Sequence, residues 1–266
     1  MYTPLQSLFI KGNAGDPLPQ VWQTLETKGT RFLRGQLALI CAGPGVGKSA
    51  FILSYALKAK VPTLYLSADS DAFTQLSRSL SILTGWPLER TTDMVRAGDL
   101  GEAKEEFADI PIRFNYSASP NLDQIEASVR AYEEVYGDYP SLVVIDNVTN
   151  VRTGGDNDDD PFSGLESLMD YLHDMARSTA ACVVGLHHVT GGYNDADKPI
   201  PLSGVKGQIA RVPEMVLTLH KMTDDFGPDL LCVSTVKNRG GKADPSGNDY
   251  VALAFQGDNM QIKDEQ

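Results

Sequence analysis

Ala42-Gly43-Pro44-Gly45-Val46-Gly47-Lys48-Ser49 is the stretch on which the reading of this chain turns. An apolar run, Leu37 to Cys41, precedes it, and the helical pattern Ala50 to Leu57 follows. Strand, glycine-rich loop and helix in that order form the setting of a Walker A motif. Glycines let successive backbone N–H groups converge on phosphate oxygens, and the helix N-terminus adds a favourable dipole. Gly43, Pro44, Gly45, Val46, Gly47, Lys48, Ser49 and Ala50 are therefore expected to cradle a nucleoside triphosphate. Lys48 is expected to reach the β- and γ-phosphates, and Ser49 to offer its hydroxyl to Mg²⁺. Ala42 stands where the motif usually begins with glycine, a departure of one methyl group. The competing reading is a glycine-rich turn that merely opens a helix.

Three strand ends extend this reading. Leu142-Val143-Val144-Ile145-Asp146 is an apolar run ending in an aspartate. Its lack of alternation suits a strand buried on both faces, and Asp146 is expected beside Ser49 as a Mg²⁺ carboxylate. A second strand, Thr63 to Leu66, runs into Ser67-Ala68-Asp69-Ser70-Asp71. A carboxylate there can polarise a water, while Ser70 or Asp71 can equally cap the following helix. A third, Ala180 to Leu186, ends in His187-His188-Val189-Thr190. Histidine at that position can bond the γ-phosphate or its attacking water, or serve as an ordinary strand-end residue. Residues 190–207 then make a long loop carrying Lys198 and Lys206, and loops of that length are usually functional or disordered.

The remaining chain is plainer. Residues 1–17 read as an irregular lead-in and Leu18 to Lys28 as a short helix, with Trp22 in the core or at an interface. Leu88 to Val95 and Asp99 to Ala108 read as short helices, and Ile110 to Phe114 as a strand. Asn121 and Gln124 form a reciprocal cap for the next helix. The polar segment from Asn147 to Phe162 reads as a mobile loop. Its Asp156–Asp160 run leaves a second metal cluster, and with it nuclease chemistry, as an alternative. Leu165 to Ala176 reads as a helix. Met215 to His220, Leu230 to Val236 and Tyr250 to Phe255 read as strands, the first two joined through Thr223–Gly227. Antiparallel strands added to a parallel sheet are thus expected, with a polar tail fraying from Asp258. The domain boundaries expected are an extension over 1–30, an α/β core over 31–257 and a tail over 258–266.

Composition narrows the function classes. The 266 residues carry 42% apolar residues, enough for a real core. No apolar run is long enough to span a bilayer, and no basic-then-apolar leader opens the chain. Cys41, Cys182 and Cys232 fall in predicted strands, as free thiols of a reducing, cytoplasmic compartment. The four histidines have no zinc spacing with them. A formal net charge of −12 counts modestly against a broad basic DNA-coating surface and does not exclude binding in a narrow channel lined by a few cations.

Four blocks together resemble the RecA-type motor of DnaB-like replicative helicases and their RadA/Sms and plasmid RepA-type relatives. They are Ala42–Ser49, Tyr65-Leu66-Ser67-Ala68-Asp69, Leu142–Asp146, and Val184-Gly185 with His188-Val189-Thr190. A fifth, Val236-Lys237-Asn238-Arg239-Gly240, is similar to the K-N-R-F-G and K-x-R-x-G motifs of those motors. The likeness runs from about residue 31 onward. It implies a RecA-like P-loop core, a mostly parallel sheet flanked by helices with C-terminal antiparallel strands. It implies ATP with Mg²⁺, Asp69 as catalytic base, and His188 as γ-phosphate sensor. It further implies that Lys237 and Arg239 reach a neighbouring subunit's ATP, in a homo-oligomer such as a hexameric ring. Single-stranded DNA would be held by the loops after Asp146 and His188, with replication or recombination proteins as partners. Asp69 departs from the family's glutamate by one methylene, and Gly240 from the phenylalanine of K-N-R-F-G. Neither a zinc finger before the motor nor a protease-like domain after it is read, so a bare motor is expected, of the kind that phage or plasmid genomes encode. A filament-forming recombination ATPase and a nucleotide-dependent scaffold or loader are the alternatives.

Overall fold

The computed structural model describes residues 1–153, 164–223 and 229–265. Two short helices come first, α1 (Pro4–Ile10) and α2 (Gln23–Thr27). Then follow β1 (Leu37–Cys41), α3 (Lys48–Ala59), β2 (Thr63–Ser67), α4 (Ala72–Thr84), α5 (Leu88–Ala97), α6 (Ala103–Ala108) and β3 (Ile112–Asn115). The chain continues through α7 (Leu122–Tyr136), β4 (Leu142–Asp146), α8 (Leu165–Thr179) and β5 (Cys182–His187). It closes with β6 (Met215–Met222), β7 (Asp229–Asn238), β8 (Tyr250–Gln256) and β9 (Gln261–Asp264).

These strands join one sheet in the order β3-β2-β4-β5-β1-β6-β7-β8-β9. From β3 to β6 every pairing is parallel, and from β6 to β9 every pairing is antiparallel. β1, β2, β4 and β5 are buried along their whole length, which is why their sequences are nearly unbroken apolar runs. β8 alternates buried and half-exposed residues, as a strand with one wet face should. The three cysteines are free and buried, and burial pushes the Cys41 and Cys182 thiols up to about 12.

Several expectations are corrected. Residues 1–17 contain α1, started by a capping box between Thr3 and Gln6 with Pro4 in the first turn. None of its residues is buried; Leu5, Phe9 and Ile10 face outward. The helix read over Leu18 to Lys28 shrinks to α2, and that read from Asp99 begins only at Ala103. The loop read from Asn147 opens with a 3₁₀ turn, Val148–Asn150. The tail does not fray: Gln261–Asp264 forms β9 against β8, with Ile262 fully buried. Its anchors come from far away in sequence. Trp22 Nε1 and Lys58 Nζ donate to the Ile262 carbonyl at 3.1 and 2.8 Å, and Asp264 accepts from Gln23 and Thr24. Trp22 also stacks on Phe51 at 4.7 Å, a pairing worth about 0.5–1.5 kcal/mol beyond area burial. It is a core residue that ties the amino-terminal segment to both α3 and β9. The Asp156–Asp160 run and residues 224–228 of the expected hairpin turn lie outside the described residues.

Candidate nucleotide site

Parallel strands present their carboxyl ends at one edge of a sheet, and ligands of open α/β folds bind there. β1 opens into the glycine-rich loop, and α3 begins at Lys48. Gly47 takes φ +120°, a backbone conformation L side chains rarely adopt, so glycine is required at the turn into α3. Gly43 is required for a different reason. A Cβ there would sit 2.1 Å from the backbone oxygen of Asn194, in the loop after β5. That loop therefore lies directly against the candidate phosphate cradle. Ala42 is fully buried, and its methyl group fits.

Lys48 is mostly buried, and its ammonium donates to the carbonyls of Ala42 and Gly43 at 3.0 and 3.1 Å. Burial lowers its pKa from the ordinary lysine value, and the nearby carboxylates of Asp146 and Asp69 oppose that shift. Asp146 ends β4, is almost wholly buried, and faces the Ser49 hydroxyl, which bonds to it. Burial pushes its carboxyl above the usual aspartate range, while the Ser49 and Tyr65 hydroxyls pull it back. Tyr65 donates to Asp146 Oδ2 at 2.9 Å from the centre of β2. A carboxylate beside a hydroxyl is a hard oxygen set, suited to Mg²⁺ completed by phosphate and water. Among the described residues no group of three or more His, Cys, Asp or Glu could cage a metal by itself. An ion here would therefore be held jointly by Asp146, Ser49 and a nucleotide.

Asp69 follows β2, and its backbone N–H donates to the Asp146 carbonyl at 3.2 Å, as does that of Ala68 at 2.7 Å. It is exposed at the mouth of the site. Asp71 is spoken for as the N-cap of α4, accepting from Thr74 N–H at 2.8 Å. From α4, Arg78 donates to the Ser70 hydroxyl of the loop after β2 at 3.2 Å. His188 lies just past β5, half-buried, with Nε2 2.7 Å from Asn147 Nδ2. Burial, then the Lys48 charge, holds its imidazole below the ordinary histidine value. His187 points elsewhere: it is fully buried and donates from Nε2 to the Lys206 carbonyl at 2.8 Å. Lys198 is exposed, with its ammonium 5.4 Å from the Tyr193 ring centroid.

Lys237 and Arg239 are not brought to this edge. β6 runs parallel to β1 with Met215 beside Ala38, and β7 runs back with Asn238 beside Met215. Arg239 N–H bonds the Glu214 carbonyl, and Glu214 N–H bonds the Leu37 carbonyl. Arg239 is thus level with the start of β1, roughly 16 Å from Ala42 along the strand. Its own nucleotide loop is out of reach. Lys237 Nζ donates to the Ala210 and Arg211 carbonyls at 2.7 Å each, and Arg239 Nη2 to the Arg211 carbonyl at 2.9 Å. Burial and the adjacent Arg239 guanidinium push Lys237 down to about 8. Glu214 joins the cluster, bonding Leu37 N–H at 3.0 Å, meeting His173 at 2.9 Å and lying 3.8 Å from Arg239.

Three residues of these clusters escape sequence reasoning: Tyr65, Asn147 and Glu214. Tyr65 looks like one more apolar strand position, and Glu214 like a surface acid before β6. Only Asn147 carries a signal, as an amide placed directly after Asp146.

Comparison with known proteins gives the family. A family model described as an AAA domain matches residues 26–192. The Gene 65 protein of Mycobacterium phage L5 is 68% identical over 265 residues, covering 99% of each chain. Among solved structures, a DnaB-like replicative helicase superposes with a TM-score of 0.80 at 17% identity, covering 98% of this chain and 65% of that one. The RadB recombinase gives 0.60 at 15% identity, covering 94% and 100%. Those two likenesses establish the fold, a RecA-like P-loop core with a mixed, mostly parallel sheet. Among the described residues no helix is long and apolar enough to cross a membrane. With its Walker loop inside the matched span and near-complete coverage of a phage relative, the chain belongs to the AAA domain family of P-loop ATPases.

Proposed function

We propose that the protein is a Mg²⁺-dependent ATP hydrolase that works on single-stranded DNA as a ring of identical subunits, a DNA helicase of replication or recombination. The observation that carries this reading is the separation of Lys48 and Asp146 from Lys237 and Arg239 across the sheet. Were Arg239 to serve a γ-phosphate bound at the Walker loop, it would come from another subunit, and the catalytic site would lie between subunits. The likeness in fold to a DnaB-like replicative helicase supports the helicase reading, and the weaker likeness to the RadB recombinase favours it over a recombination ATPase.

Within such a site the Walker loop and Lys48 neutralise phosphate charge, while Ser49 and Asp146 hold Mg²⁺. Asp69 orients and deprotonates the attacking water. His188 donates to the γ-phosphate, and Arg239 of the next subunit stabilises charge as it develops. Loss of the γ-phosphate frees the ring of His188, whose backbone carbonyl accepts from Lys206 N–H. The DNA-facing loop can thereby register hydrolysis. Mixing Lys48→Ala subunits with Arg239→Ala subunits tests the assignment. Each is inactive alone, and a mixed ring regains turnover at interfaces that pair an intact Lys48 with an intact Arg239. Parent-level turnover by R239A alone overturns the intersubunit site. Native mass separates rings from filaments, and turnover with and without single-stranded DNA separates a motor from a scaffold.

A further inference from the structure

Asn147 lies between the two functional ends of this site. It immediately follows Asp146, is almost wholly buried, and meets the ring of His188. Its amide orientation is fixed by a second bond. Thr149 N–H donates to Asn147 Oδ1 at 3.3 Å, as part of the 3₁₀ turn that Asn147 caps. Oδ1 is therefore the acceptor, and the group facing the imidazole at 2.7 Å is the NH₂. An amide NH₂ can only donate. His188 Nε2 must then accept, which places the ring proton on Nδ1. Nδ1, on the other side of the ring, is the nitrogen left to donate. The ring senses the charges of both Lys48 and Asp69, so it stands within the electrostatic range of the phosphate cradle and the candidate base.

We propose that Asn147 is a positioning residue that sets His188 in the Nδ1–H tautomer and so offers one neutral donor to the γ-phosphate. The inference rests on the reading of His188 as the γ-phosphate group. It explains why burial of an amide beside Asp146 is tolerated: both of its polar ends are used. A carboxylate in the same shape would accept rather than donate, drawing the ring proton to Nε2 and turning a lone pair toward the phosphate.

The test uses the full chain labelled with ¹⁵N-histidine. Long-range proton–nitrogen spectra distinguish a protonated from a lone-pair nitrogen in each imidazole. The His188 signals are identified by their disappearance in His188→Gln, which separates them from the other histidines. The expected parent spectrum shows Nδ1 protonated and Nε2 bare. Asn147→Asp should invert this pattern, and should lower the rate constant for ATP turnover by about 10²–10³-fold, the cost of removing one transition-state donor. The KM for ATP should move by no more than a few-fold. A parent spectrum with Nε2 protonated overturns the inference without any variant, so a poorly folding N147D does not leave it open. An unchanged tautomer in N147D overturns it as well. The underlying reading fails separately: parent-level turnover in H188Q removes His188 from catalysis even where the tautomer follows Asn147.

Discussion

At the carboxyl edge of β1, β2, β4 and β5, one chain gathers Lys48, Asp69, Asp146 and His188, each supported by another residue of the same subunit. At the opposite edge Lys237 and Arg239 are bonded to the Ala210 and Arg211 carbonyls and lie beside Glu214, far from the glycine-rich loop. The first edge is assembled by parallel topology, because neighbouring strands end together. The second is the return of an antiparallel strand, β7, which carries its terminal residues back to where β1 begins. On the proposed reading, part of the catalytic charge is built into the subunit and part is displayed for a neighbour.

The sharpest way to break that division is to compare the edges directly. Lys48→Ala should abolish turnover and weaken binding of a fluorescent ATP analogue, with the circular dichroism of the fold retained. Arg239→Ala should bind the analogue like the parent yet fall roughly 10³–10⁵-fold in turnover. Equal loss of nucleotide binding in both variants would place Arg239 in its own subunit's site and dissolve the contrast.

Asp69 tests whether the first edge is complete. Asp69→Asn should keep nucleotide binding and slow turnover by about 10²–10⁴-fold, because an amide takes no proton from water. Asp69→Glu, which restores the longer arm, should match or exceed the parent. Parent-level hydrolysis by D69N moves the base elsewhere, and steady-state turnover reads each outcome.

The loop that carries Lys198 and Lys206 gives a smaller effect. The double variant Lys198→Ala/Lys206→Ala should bind single-stranded DNA more weakly. Its salt slope should fall by about one for each phosphate pairing removed. Fluorescence anisotropy across a salt series measures this, and an unchanged slope places DNA on another surface.

The smallest effect is a pH limb at the second edge. Burial holds the Lys237 pKa at about 8, below its ordinary value of 10.5. The ammonium is therefore present below pH 8 and lost as pH rises through it, where turnover should fall toward half. Lys237→Arg keeps its charge and should flatten that limb. In stability the sign is opposite. Between the folded and unfolded values the unfolded chain binds the extra proton, so the cost of burying this ammonium is relieved as pH rises. A pH–rate profile that is flat in the parent removes Lys237 from the charged machinery.

Legibility in the sequence follows the distance over which each interaction is made. The Walker loop is readable because strand, glycines, Lys48 and Ser49 are contiguous and their geometry is local. Asp146 and Asp69 are readable as strand ends, and Asn121 with Gln124 as a local cap, which the structure bears out. The same local rule applies to α1, since Thr3, Pro4 and Gln6 spell its capping box, but the glycines and prolines around it point to an irregular segment. β9 offers little to read: only Ile262 is apolar among its residues, and it is held by Trp22, Lys58 and Thr24.

By itself, then, the sequence determined the candidate phosphate cradle, the strand that carries Asp146 and the parallel core around them. These depend on neighbours within a few residues and on unbroken apolar runs. Only the tertiary structure decided which polar groups support the site. Tyr65 meets Asp146 across two paired strands, and Asn147 meets His188 across the ends of β4 and β5. It also decided that Arg239 stands at the far edge, because strand direction and register belong to the sheet. A hydrogen bond between residues tens of positions apart leaves no periodicity in the chain, and it forms only when folding brings the two ends together.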